Sequence, residues 1–89
     1  MAFRSTEVTV GTTPTLLHTA VSGDLELWVN VDPNESYWIG GSDVTPSKGL
    51  ALFGPNNSNT FHTRIRPGDE LYAVVGTGTA TANVLVRSA

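Results

Sequence analysis

The chain has no cysteine and only five basic residues against eight acidic ones. Without cysteine, neither a disulfide framework nor a thiolate metal site can add to the stability of a domain this small. The formal charge of −3 is the reverse of the basic footprint that nucleic-acid binders carry. Arg64 and Arg66 are the only close basic pair. Long apolar runs are missing too. No segment approaches the roughly 18 apolar residues of a membrane span, and the opening MAFRSTEVTV has no apolar core of the kind a signal peptide needs. These absences predict a soluble chain made in a cytoplasm, with no nucleic-acid partner and no membrane partner.

Histidine is also scarce. His18 and His62 lie far apart, with no His-x-His or Cys-x-x-Cys spacing around them, so no metal and no other cofactor is expected. The 89 residues fit a single domain over 1–89, too small to hold a second core.

What is abundant is period-two alternation of β-branched and aromatic residues, the pattern of strands rather than helices. In DLELWVNV, residues Leu25, Leu27, Val29 and Val31 share one face, and Glu26, Trp28 and Asn30 the other. TFHTRIR sets Phe61, Thr63 and Ile65 against His62, Arg64 and Arg66. After Pro67-Gly68-Asp69 comes ELYAVV, which predicts a hairpin. TANVLVR sets Ala82, Val84 and Val86 against Asn83, Leu85 and Arg87, and GTGT before it predicts a second hairpin. With TEVTV, TLLHTAV, YWI and LALF, the reading is all-β: a single small antiparallel β-sandwich or barrel of about eight short strands.

Candidate chemistry fails position by position. Gly40-Gly41-Ser42 begins like a nucleophile elbow, but Val44 stands where the second glycine belongs, and no phosphate-loop Gly-Lys-Ser/Thr follows. DPNESY starts like a calcium loop, but Tyr37 occupies the position that needs glycine. Asp69 and Glu70 are adjacent on a strand and point to opposite faces, so they cannot share one substrate bond. Ser42 and Asp43 read as turn residues. No enzyme is expected.

Apolar side chains on faces assigned to the outside are the informative feature: Trp28 between Glu26 and Asn30, Leu85 between Asn83 and Arg87, and one of Tyr37 and Trp38. Outward faces of a two-layer sandwich are mostly polar, so several such residues point to a subunit or partner surface. Large aromatics are the usual anchors of such surfaces.

YWIGGSDVTPSKGLAL followed by PGDELYAV resembles a pattern in small structural proteins of tailed bacteriophages. There an aromatic-Ile-Gly-Gly strand end leads through Asp-Val-Thr and a glycine-bearing turn to a leucine-containing strand, then to Gly-Asp-x-Leu-Tyr-Ala. The matching positions are Trp38, Ile39, Gly40, Gly41, Asp43, Val44, Thr45, Gly49, Leu52, Gly68, Asp69, Leu71, Tyr72 and Ala73, all in the middle of the chain. The resemblance implies a β-rich virion component, often trimeric, on a capsid or a head or tail appendage, with fold determinants and no catalytic residues at these positions.

On that footing the expected function is capsid decoration. The chain would be a homo-oligomer, a trimer, on the capsid exterior of the virion, bound to the major capsid protein and cementing the shell. Trp28, Trp38 and Leu85 are the expected subunit contacts. Residues 1–6 are expected to form a flexible arm anchored by Phe3 and Arg4. The alternative is a head- or tail-appendage module that stacks exposed Trp and Tyr rings on host carbohydrate beside polar loops such as GPNNSN.

Overall fold

Leu27 and Val29 are fully buried, while Glu26, Trp28 and Asn30 between them reach the surface. The alternation of DLELWVNV is therefore a strand with one buried face. The same logic repeats along the chain. A computed structural model describes residues 3–31, 36–53 and 60–89, and it contains β1 (Arg4–Val10), β2 (Thr15–Thr19), β3 (Leu25–Val31), β4 (Ser36–Gly40), β5 (Leu50–Phe53), β6 (Thr60–Ile65), β7 (Glu70–Val75) and β8 (Ala80–Ser88). No helix occurs among the described residues. Met1 and Ala2, residues 32–35, where the sequence implies a turn, and the GPNNSN segment lie outside them.

The pairing has a simple rule. β1 pairs with β8, β2 with β7, β3 with β6 and β4 with β5, all antiparallel, so the chain is one long hairpin with β4 and β5 at its tip. Two further pairings, β3 with β8 and β4 with β7, roll that hairpin into two sheets. Sheet A has the order β1-β8-β3-β6 and sheet B the order β2-β7-β4-β5. This is the jelly-roll arrangement of a β-sandwich.

The inner faces of the two sheets form the core. Val10, Leu27, Val29, Val84 and Val86 of sheet A meet Leu17, Tyr37, Ile39, Ala73 and Val75 of sheet B. Tyr37 is the largest fully buried side chain, and burial pushes its phenol pKa up to about 12. A register shift between Leu16 and His18 lets Leu17 stay in the core while His18, opposite Leu71, also faces inward.

Two local expectations are corrected. The turns at Pro67-Gly68-Asp69 and at GTGT exist, but neither closes a hairpin: β6 and β8 belong to sheet A and β7 to sheet B. The turn chemistry itself is as the sequence implies. Gly68 has φ +95, the Asp69 amide donates to the Arg66 carbonyl at 2.9 Å, and the Arg66 amide donates to Asp69 Oδ2 at 2.9 Å. What redirects the chain is the far side of the turn, where the Gly68 amide donates to the Ala20 carbonyl at 3.0 Å and sets β7 beside β2. The second correction concerns the arm. Arg4, Ser5 and Thr6 are not a free segment but pair with Val86, Leu85 and Val84 as the start of β1. The backbone hydrogen bonds of an edge strand outweigh the lack of apolar side chains there.

Candidate binding surfaces

The structure gathers three of the five expected contact residues on one face. Phe3, Trp28 and Leu85 all lie on the outer face of sheet A. The rings of Phe3 and Trp28 are 5.9 Å apart and inclined at 58°, and Leu85 stands directly opposite Trp28 in register. Cross-strand pairing also brings His62 opposite Trp28, where the two rings stack at 4.7 Å and 9°.

The cluster closes on itself. His62 Nε2 lies 3.1 Å from Glu26 Oε2, Arg87 Nε donates to Glu26 Oε1 at 3.1 Å, and the Arg87 guanidinium sits 5.7 Å over the Phe3 ring. Five side chains thus form a circuit: Arg87, Phe3, Trp28, His62, Glu26 and back to Arg87. The hydrogen bonds from His62 and then Arg87 hold the Glu26 carboxyl below its ordinary pKa. Each ion pair is exposed and contributes little alone. Together they restrict the rotamers of Trp28 and Phe3.

Beside Trp28 runs an open groove of about 590 Å³, bordered by Ser5, Glu7, Asn30, Asn83 and Leu85. It comprises the outer faces of β1, β8 and β3, and β6 takes no part. Asn30 Nδ2 donates to Thr60 Oγ1 at 3.0 Å, which orients its amide.

Arg4 is separated from this face. It pairs with Val86, a core residue, so its side chain leaves the sandwich on the inner side, at one end. There Arg4, His18 and Leu25 line a smaller cleft of about 260 Å³. Burial first, and the Arg4 charge second, lower the pKa of His18. Arg4 and Phe3 are therefore not joint anchors of one arm.

Trp38 lies on the opposite side of the molecule. Its neighbours Tyr37 and Ile39 are buried in the core, so Trp38 projects from the outer face of sheet B, with its indole over Gly76. Val74, opposite it in register, faces the same way and is only 1 % exposed. The next cross-strand row carries Leu16, Tyr72 and Gly40. Leu16 is 40 % exposed, and the Tyr72 hydroxyl donates to Glu70 Oε1 at 3.4 Å. These two rows, completed by Ala51 opposite Trp38, contain no charged side chain.

The glycine-rich stretch after Trp38 is architectural. Val44 is buried against Gly40 and Gly49 outside the main core, and its amide donates to the Gly41 carbonyl at 3.1 Å. Thr45 and Lys48 exchange backbone hydrogen bonds of 2.9 and 3.0 Å around Pro46-Ser47. Lys48 Nζ reaches Asp43 Oδ2 at 2.8 Å, and that contact lowers the Asp43 pKa. The amides of Val44, Thr45, Ser47 and Lys48 all donate within the turn itself.

Among the described residues no three of His, Cys, Asp and Glu gather as metal ligands. No family model matches the chain, and no curated protein or solved structure matches it either. Sequence reading placed His62 on a polar strand face but did not join it, Glu26 and Arg87 to Trp28, nor find the amide row beside it. Each is an ordinary polar strand residue until the strand register makes it a neighbour.

Proposed function

We propose that the protein is a non-enzymatic structural component of a tailed-phage virion, a decoration protein that binds the major capsid protein at the shell exterior through the outer face of sheet B. One observation carries this reading: Trp38 is turned out of the core into two uncharged rows with Leu16, Tyr72, Val74 and Ala51. Interface centres are depleted in charge and enriched in aromatic residues, and this face has that character. The outer face of sheet A is instead divided by Glu26, Arg87, Arg64 and Glu7. The resemblance of the Trp38–Gly49 stretch and the Gly68–Ala73 segment to phage structural proteins supplies the partner. The jelly roll hosts viral shell domains as well as lectins, so it accommodates the reading without selecting it.

In this role the chain acts by mass action. Contact energy present only in the assembled shell opposes its opening, as a ligand opposes unfolding. A trimer would let one small chain occupy many equivalent threefold positions. The test is to add purified protein to undecorated shells of the major capsid protein, and to measure co-sedimentation and shell melting temperature. Wild type is expected to bind and raise that temperature. Leu16→Glu, which places a charge at an exposed position without touching the core, and Trp38→Ala are expected to lose both effects. Absence of binding by wild type, or unchanged binding by both variants, refutes the proposal.

A further inference from the structure

We propose that the groove beside Trp28 is a saccharide site for neutral pyranose units. Two cross-strand rows build it. Ser5, Leu85 and Trp28 stand opposite one another in the first row, and Glu7, Asn83 and Asn30 in the second, with His62 and Thr60 of β6 continuing the rows outside the groove. Rows two residues apart on a strand are separated by about 7 Å. A sugar ring seated on the first row therefore places its hydroxyls at the second.

The first row supplies the stacking plane. His62 stacks on the Trp28 ring from the β6 side, and the groove lies toward β8 and β1, where Trp28, Leu85 and Ser5 border it together. The C–H face of a pyranose is complementary to the negative face of an indole. The second row supplies polar partners. The amides of Asn30 and Asn83 each combine donor and acceptor, and the Glu7 carboxylate accepts, which suits hydroxyl groups that do both. The contact circuit through Phe3, Arg87, Glu26 and His62 holds the indole in place before a ligand arrives, so binding does not have to order it. A volume of about 590 Å³ falls in the range of small-ligand sites.

Charge selects among sugars and against other stacking ligands. Among the described residues Glu7 is the only charged side chain bordering the groove, and it is an acid. The nearby Arg87 is engaged by Glu26 at 3.1 Å. Uronic acids, sialic acids and sulfated glycans would meet a negative wall, and a single-stranded nucleic acid would lack the cations that its backbone requires. The expectation from sequence placed sugar binding on exposed rings beside the GPNNSN loop; the built site is at Trp28, on sheet A. It does not depend on the capsid reading, which concerns the other face of the sandwich.

The experiment titrates the full chain with neutral trisaccharides of glucose, galactose, mannose and N-acetylglucosamine, and with trigalacturonate, sialyllactose and an oligothymidylate. Calorimetry gives Kd, and amide and indole NMR shifts locate the ligand. At least one neutral trisaccharide is expected to bind at millimolar Kd or tighter, moving the Trp28 indole, Asn30 and Asn83 signals. Trp28→Ala should abolish binding. Asn83→Ala, at an exposed position where folding is not at stake, should weaken it by roughly tenfold or more. No neutral ligand binding at tens of millimolar, tighter binding of an anionic ligand, or a Kd unchanged in Asn83→Ala overturns the proposal.

Discussion

Gly49→Ala tests whether the loop between β4 and β5 is held by Val44. Gly49 has φ +145, a conformation that side chains rarely adopt, and a Cβ there would stand 2.6 Å from Val44 Cγ2 and 3.0 Å from the Ile39 carbonyl oxygen. The backbone strain costs about 1–3 kcal/mol. Forcing a methyl against a packed neighbour costs about 1–3 kcal/mol more. The sum, near 3–4 kcal/mol, is a large share of the roughly 4–13 kcal/mol that a domain of this length possesses. It should lower Tm by about 12–32 °C.

Two companions separate the causes. Gly68→Ala adds a side chain at φ +95 with nothing within 4 Å, so it reports strain without a clash and should cost only about 1–2 kcal/mol. Val44→Ala removes the clashing methyl and costs about 2 kcal/mol through lost burial. The double variant Gly49→Ala/Val44→Ala should then be more stable than the sum of the single changes predicts, by about 1–2 kcal/mol. Urea unfolding followed by circular dichroism measures all four variants against wild type. The reasoning fails if the coupling lies within about 0.5 kcal/mol of zero, or if Gly49→Ala is no worse than Gly68→Ala.

Two titrations probe the ionisable groups. Because the folded state holds Glu26 below its reference value of 4.5, its stabilising contribution is complete above that pH and is lost as pH falls through the folded value; Glu26→Gln should therefore flatten the decline of Tm below pH 4.5 relative to wild type, and a parallel decline would dissociate Glu26 from the Trp28 circuit. Tyr37 has a pKa raised by burial from 10.0 to about 12, so the folded state is favoured below pH 10 and that advantage disappears as pH rises toward 12; tyrosinate absorbance should show Tyr37 ionising only together with loss of the near-ultraviolet circular dichroism signal, whereas ionisation in a still-folded chain would contradict its place in the core.

Fold class was legible because a strand records its own burial. The alternation in DLELWVNV and TANVLVR predicts which side chains face inward, and Leu27, Val29, Val84 and Val86 are buried accordingly. Partner choice was not legible. Pro67-Gly68-Asp69 specifies a reversal of the chain but not whether the next strand returns to the same sheet, and the contact that decides it, from Gly68 to Ala20, spans the sequence. The binding faces share this limit. Trp28 stood out as an aromatic among polar residues, yet its groove is assembled from β1, β3 and β8, whose relation exists only after the long hairpin has rolled up. Likewise Arg4 and Phe3, adjacent in sequence, separate because successive residues near a strand alternate sides.

The rolled hairpin also explains how so short a chain can carry two surfaces of different character. In a two-layer sandwich each sheet spends one face on the shared core, and the remaining faces point in opposite directions. Trp28 and Trp38 sit on those opposite faces, one among charges and amides, the other in uncharged rows. If sheet B rests on a shell, sheet A faces the medium by construction. The groove at Trp28 is then presented at every position the chain occupies on the shell, so even a millimolar saccharide affinity gains from multivalent display in proportion to the geometry of the array. Weak individual binding is thus compatible with a useful adhesive role, provided the two faces work independently, and the core between them, with Tyr37, Leu27 and Val29 fully buried, is packed tightly enough to keep them so.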